Sequence, residues 1–290
     1  MQAAIFCQNA KGSKTYLSIE DVPRPAVLPG HSLLRVIACG ECRTDLHIVT
    51  GELPALKAQL IPGHQIVGDI VDGATPNLPI GMRVGVFWMG GVDGTCWYCM
   101  HSAENLCDEP VFTGYTVDGG YAEFVLVRTD FLLPLPAGLD NAAAAPLLCA
   151  GIIGFRSLRV AGVQPGERVG LYGYGSSASL AIQVLCSWDC EVYVSSRGQG
   201  NRDRTVALNA TWVGKDGNHA ARCAGSCDHL CSERGSCDRS AERASQRWRR
   251  SGQRNSYGPN SGIRLRQPAL GRAANTQRSQ HDQGRCPRLP

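Results

Sequence analysis

The chain has 290 residues, 43% apolar and 19% charged, with a net charge of +4, enough for two domains of ordinary size, each with its own core. Nothing at its start reads as a signal sequence, and no run approaches the roughly 20 apolar residues that cross a bilayer. The expected setting is therefore cytoplasmic, without a membrane, where 14 Cys point to reduced thiols and metal ligands rather than a disulfide framework.

Residues 1 to about 145 alternate short β-type segments with turns, at 3–7, 33–37, 66–71, 83–87 and 121–127, which predicts a β-rich, barrel-like domain. Within it lies Cys39-Gly40-Glu41-Cys42-Arg43-Thr44-Asp45-Leu46-His47, and 22 residues after Cys42 comes His64, in Pro62-Gly63-His64-Gln65. A catalytic zinc takes three protein ligands and leaves one position open. Cys42 and His64 supply two, and Cys149, in a helical stretch between two domains, is placed to supply the third. Taken singly, Cys149 reads as a small core residue and His64 as a turn histidine. Their joint occurrence with the next segment reverses that reading.

Asp93-Gly94-Thr95-Cys96-Trp97-Tyr98-Cys99 carries two Cys at metal-knuckle spacing, and Cys107 follows eight residues later. A closed structural zinc needs a fourth ligand. Asp93, three residues before Cys96, continues the spacing, with His101 as its rival.

From about residue 142 an Ala-rich helical stretch, interrupted at Pro146, runs towards residue 160. A short apolar strand at 168–172, the turn Gly173-Tyr174-Gly175-Ser176-Ser177-Ala178, a helix over 179–185 and a strand at 191–195 make one β-α-β unit. Alone, GxGxxA is a weak signal; between a strand and a helix it reads as a dinucleotide-binding turn, with pyrophosphate at the helix N-terminus. The second strand ends Val194-Ser195-Ser196-Arg197. No acid stands there to take the ribose hydroxyls of NAD, and Arg197 suits the 2′-phosphate of NADP, so the cofactor expected is NAD(P), leaning to NADP. Residues 207–214 predict the end of a further helix and a third strand.

After Gly217 the alternation stops. Residues 218–290 hold 14 Arg, no Lys and 5 acids, a net of +9, against −5 for residues 1–217. They contain no Val or Phe, a composition that cannot readily bury a core and predicts disorder. Three readings compete: a basic arm for nucleic acid, a metal cluster of Cys223, Cys227, Cys231 and Cys237, and out-of-frame translation of a GC-rich gene. The abrupt joint loss of strand, helix and apolar content favours the third, and nucleic acid is not the expected partner.

On these motifs, residues 1 to about 217 resemble the zinc-dependent medium-chain alcohol dehydrogenases. The resemblance implies a GroES-like zinc domain over 1–145 and an incomplete Rossmann-type domain over 146–217, while the disordered Arg-rich tail over 218–290 departs from it. In all it implies an α/β protein that converts small alcohols to aldehydes or ketones and back, with a homo-oligomer compatible. Cys42, His64 and Cys149 would bind the catalytic zinc, a ligand set that is the family's own. Asp93, Cys96, Cys99 and Cys107 would bind the structural zinc. Thr44 would relay the substrate proton, His47 would be its outlet, Asp45 would stand behind the ligands, and Arg43 would lie near the cofactor pyrophosphate. Gly173, Gly175, Ala178 and Arg197 would meet the cofactor. Two departures stand out: Gln65 where the family has Glu, and Asp93 where it has Cys. The alternative is an inactive zinc-binding remnant with a frameshifted C-terminus.

Overall fold

A computed structural model describes residues 1–7, 16–54 and 56–215, together with the backbone of Leu230 and Cys231. The described residues form two compact units that divide between Cys149 and Ala150.

The first unit is built on antiparallel sheets. Strands β1 (Gln2–Cys7), β2 (Tyr16–Asp21), β3 (His31–Gly40), β4 (Gln59–Leu60), β5 (Gln65–Asp72), β6 (Arg83–Val86), β7 (Met89–Gly91), β8 (Val111–Phe112), β9 (Phe124–Arg128) and β10 (Leu133–Pro134) fall into three sheets. Their orders are β2-β1-β4, β10-β6-β5-β3-β9 and β7-β8. The five-stranded sheet works because its strands present apolar side chains to one core. Leu34, Ile66, Ile70, Val84, Val86, Val125 and Val127 are all buried there, and β9 alternates buried and half-buried positions as a one-faced strand should. Two helices lie in this unit's loops: α1 (Arg43–Val49), directly after β3, and the single turn α2 (Trp97–Met100).

Helix α3 (Asn141–Pro146) starts on Asp140, whose side chain accepts from Ala143 N and so satisfies one of the orphan donors of the first turn. Ala144, Ala145 and Leu148 pack with Val67 in a core of their own. Pro146 leaves its turn without a donor, and the next residues, Leu147–Gly151, widen into a π-turn. Helix α4 (Ile152–Ala161) continues from it. The 21-residue run Asn141–Ala161 is long and apolar enough to cross a membrane by length and composition, which corrects the expectation of no such run: the high apolar average survives the interruptions at Pro146, Arg156 and Arg159. Its buried residues nonetheless serve protein cores, Ala144, Ala145 and Leu148 in the first unit and Leu158 in the second.

In the second unit, β11 (Arg168–Tyr172), α5 (Ser176–Ser187), β12 (Glu191–Ser195), α6 (Gln199–Ala207) and β13 (Trp212–Gly214) alternate in chain order. The parallel sheet has the order β13-β12-β11-β14, where β14 is Leu230–Cys231. First, second and third strands thus run outward from β11 with the fourth on its other side, the half-sheet of a dinucleotide-binding fold. Val169, Leu171, Val192 and Val194 pack on Leu158, Ala181, Ile182 and Leu185, the near-continuous apolar reading of a parallel strand covered on its faces.

The expected loss of alternation after Gly217 is corrected at one place: Leu230 and Cys231 pair in parallel with Leu171 and Tyr172. Two residues are too few to leave a periodic signal, and the open edge of β11 offers backbone groups that any extended segment can satisfy. The remainder of the predicted disordered tail, with its proposed cluster of Cys223, Cys227 and Cys237, lies outside the described residues.

Candidate active site and second metal-ligand cluster

One donor atom each from Cys42, His64 and Cys149 lies within 4.8 Å of the other two. Three separate elements deliver them. Cys42 is the N-cap residue of α1, His64 ends the turn before β5, and Cys149 sits in the π-turn after α3. Cys42 and Cys149 face each other at 3.8 Å between sulfurs.

Asp45 joins two of these elements. It is buried, 4% exposed, and its carboxylate reaches both ligand turns. Oδ2 accepts from Cys42 N at 2.8 Å, while Oδ1 accepts from Gly63 N at 3.2 Å and lies 3.1 Å from His64 Nδ1. An ionised carboxylate only accepts, so the His64 proton sits on Nδ1 and Nε2 is turned inward. Nε2 is buried and has no hydrogen-bond partner among the described residues.

The turn carrying His64 is held from its other side by residues 114–121. Gly119 N donates to Ile61 O, Gly120 N to Gly63 O and Tyr121 N to Pro62 O, at 2.7, 2.8 and 3.0 Å. Gly63 has φ +94°, a conformation that glycine enters without strain. At Gly119 a Cβ would run into the carbonyl oxygens of Gly63 and Pro62, so two backbones meet here with no room for a side chain.

Electrostatics follow from this crowding. The Cys149 thiol, hydrogen-bonded to Cys42, favours a thiolate on Cys42 well below the usual thiol range, although burial opposes it. The same contact, with burial, pushes the second proton, on Cys149, up. Burial works against charge on His64, but Asp45, hydrogen-bonded to Nδ1, and the neighbouring Cys42 outweigh it and raise the imidazole to about 9. Without a bound cation the three groups thus hold protons between them, the protons that a metal displaces when it binds thiolate and neutral imidazole. Two sulfurs and one imidazole, a buried orphan nitrogen and a convergent geometry fit a zinc ion with one position left open.

Thr44 Oγ1 lies 3.7 Å from Cys42 Sγ. Thr44 and His47, three apart on α1, share a helix face, and His47 is one-third exposed. Arg43 is exposed on the first turn. An aromatic stack outside every sequence motif stands against His64. Trp88 meets its ring edge-on at 5.0 Å and stacks on Phe112 at 4.9 Å, with Tyr115 at 5.9 Å. The only sequence signal for it is the run Phe87-Trp88-Met89 past the end of β6.

The second group of donors is Asp93, Cys96, Cys99 and Cys107, again within 4.8 Å of one another. The two oxygens of Asp93 divide the work. Oδ1 accepts from Thr95 N and Cys96 N at 2.7 and 2.8 Å, and Oδ2 lies 3.2 Å from Cys107 Sγ. Those backbone donors, of Cys96 and then Thr95, hold its carboxyl well below the usual carboxylate range. His101, the rival ligand, is not in the group: its ring stacks on Trp97 at 4.2 Å and its Nδ1 lies 2.6 Å from Trp97 O. Eight described cysteines are free thiols. Cys7 departs from the expectation of reduced thiols, being disulfide-bonded.

In the second unit Gly173 closes β11 with φ +94° and donates to Ser195 O at 2.8 Å. Gly175 is the N-cap residue of α5, and Ala178 lies on that helix's buried face. Arg197 is exposed, two residues past β12. The guanidinium of Arg202 braces this loop through the carbonyls of Ser196 and Arg197, at 2.9 and 2.6 Å.

Residues 28–137 match the family described as the alcohol dehydrogenase GroES-like domain. The "Probable alcohol dehydrogenase AdhA" of Mycobacterium tuberculosis is 44% identical over 196 residues, which are 65% of this chain and 56% of that protein. A cinnamyl alcohol dehydrogenase structure from Sorghum bicolor superposes with a TM-score of 0.65 at 29% identity, over 73% of this chain and 63% of that one. A cobalt- and zinc-bound thermostable alcohol dehydrogenase from Pyrobaculum aerophilum gives 0.64 at 25% identity, over 74% and 65%. The chain thus spans less than two thirds of the length of each of these proteins. Residues 28–137 thus carry the GroES-like domain of alcohol dehydrogenases, and about two thirds of the chain is similar to proteins described as alcohol dehydrogenases.

Proposed function

We propose that the chain holds a catalytic zinc between Cys42, His64 and Cys149 and transfers hydride between small alcohols and NAD(P), interconverting them with aldehydes or ketones. The observation that carries this reading is His64 Nε2, buried and unpartnered beside two thiols. A buried imidazole nitrogen left without a partner costs about 1–3 kcal/mol, a cost that a metal ligand bond removes. Bound there, zinc supplies Lewis acidity to an alcohol oxygen.

The chain's own residues do the rest. Asp45 turns His64 so that Nε2 faces inward, and Thr44 Oγ1, beside Cys42, takes the substrate hydroxyl proton. His47, on the same face of α1 and open to solvent, releases it. Trp88 and Phe112 wall the site and keep water from it. In the second unit Gly173 and Gly175 let the pyrophosphate approach the backbone, the first turn around Ala178 offers free N–H groups, and Arg197 pairs with a 2′-phosphate, favouring NADP. Arg43 contributes to the same pyrophosphate. Asp93, Cys96, Cys99 and Cys107 hold a second, structural zinc. The setting is the cytoplasm, and the partners are small alcohols and aldehydes.

Zinc content measured with alcohol-dependent reduction of NADP and NAD tests the reading. The expected result is two zincs per chain with turnover, and one zinc without turnover for Cys42→Ala. Full zinc loading with no turnover would replace it by the inactive zinc-binding remnant, and an active Cys42→Ala would refute the site.

A further inference from the structure

Glu52 belongs to none of the motifs. It enters through the way α1 ends. After Val49 the chain folds back on the helix: Thr50 N donates to Leu46 O, Gly51 N to Ile48 O and Leu53 N to His47 O, at 2.8, 3.1 and 2.9 Å. Gly51 makes this turn at φ +75°, which glycine adopts without the penalty of a side chain. The fold-back brings Glu52 Oε2 to 2.6 Å from His47 Nδ1, and Thr50 Oγ1 stands 3.3 Å from the other Glu52 oxygen. The imidazole thus holds one carboxylate oxygen, while the Thr50 hydroxyl, whose one hydrogen goes to Leu46 O at 2.8 Å, stands beside the other.

We propose that Glu52 is a positioning residue that locks His47 in the Nδ1–H tautomer and so makes Nε2 the nitrogen that receives the outgoing proton. The inference rests on the reading of His47 as the outlet of the proton path. An ionised carboxylate has no hydrogen to give. At 2.6 Å from it, Nδ1 must therefore carry the proton, and a neutral ring then has its lone pair on Nε2 alone. A free histidine side chain prefers the opposite tautomer, with the proton on Nε2 and no acceptor there. Glu52 reverses that preference. A proton that arrives at Nε2 makes the imidazolium, whose charge Glu52 faces. Its loss from Nε2 to water restores the starting tautomer, so each cycle returns the ring ready to accept. Glu52 touches neither substrate nor donor cluster. It acts only through the ring.

The test uses the full chain with nitrogen-15-labelled histidine, followed over a pH series to the point at which the His47 resonances no longer change. The His47 resonances are assigned by their loss in His47→Asn. The expected result is the Nδ1–H pattern in the wild type and the Nε2–H pattern in Glu52→Ala, with Glu52→Asp restoring the first. Glu52 is 60% exposed, so the Ala variant should melt with the wild type. A wild-type ring in the Nε2–H form, or one unchanged in Glu52→Ala, overturns the proposal. In turnover, Glu52→Ala should lower kcat by about three- to tenfold with the alcohol KM unchanged, a fraction of what a general acid–base group contributes. If His47→Asn is impaired and Glu52→Ala is not, this inference alone falls. If His47→Asn turns over like the wild type, the outlet reading falls and takes the inference with it.

Discussion

Asp45→Asn separates charge and hydrogen bonding at the buried link between the two ligand turns. The amide keeps one oxygen, which can still accept from Gly63 N and His64 Nδ1, but it sets an NH2 group against Cys42 N. One charge-assisted bond of 2.8 Å is exchanged for two donors facing each other. Hydrogen bonds to charged groups are worth about 1.5–3 kcal/mol, and with the unsatisfied Cys42 amide the metal-free chain should lose about 2–4 kcal/mol. Zinc affinity at the site should fall about 10- to 100-fold, the usual effect of removing a residue that orients a ligand. A counter-effect needs control. Asp45 helps to raise His64 to about 9, so at neutral pH its removal also frees the ring from a competing proton and favours metal. The comparison is therefore made near pH 9, by competition with a chelating dye, alongside thermal melts of the metal-free chain. A variant that binds zinc within threefold of the wild type under those conditions would refute the argument that Asp45 organises the site.

Burial pushes the Cys39 thiol up to about 12 from an ordinary value of 9.0. Because the folded value lies above the unfolded one, the neutral thiol's contribution is complete below about 9 and lost as pH rises towards 12. Cys39→Ala should therefore flatten the fall in melting temperature above pH 9, and an equal slope in both proteins would sink the idea. In the second donor group, Asp93→Asn keeps an oxygen for the Thr95 and Cys96 amides but removes the charge. It should release its zinc to a chelator at least about tenfold faster with the fold intact, since a neutral amide oxygen is a poor zinc ligand. Equal zinc retention in variant and wild type would show that Asp93 is no ligand.

Legibility in the sequence followed how locally each feature is encoded. The strands 168–172 and 191–195 are read from apolar runs between glycines and match β11 and β12 to the residue. Both sets of metal-binding candidates are legible because thiols and imidazole at characteristic spacings are rare by chance. Much of the scaffold around them is not. Strands β4, β8 and β10 have two residues each, too short for a period-2 pattern, and β14 is equally short. The stack of Trp88, Phe112 and Tyr115 brings together residues up to 27 apart in number, with no periodicity to announce it. The helix α1 hides inside a motif whose residues draw notice for their chemistry, and the turn that brings Glu52 back to His47 lies past that motif's end. Gly119 and Gly63 show the same limit: each looks like an ordinary turn glycine until their backbones are seen in contact.

The place of the unit boundary bears on how the molecule is made. Cys42, His64 and Cys149 all fall within Met1–Cys149, and Cys149 is the last described residue of that unit. The parallel sheet begins only at Arg168. On a ribosome the final donor is therefore synthesised before the first residue of that sheet. At about 5–20 residues added each second, the half that carries the three donors has a second or more of lead. The donors become available in an order set by translation itself, and all three are in the chain while the parallel sheet is still being written.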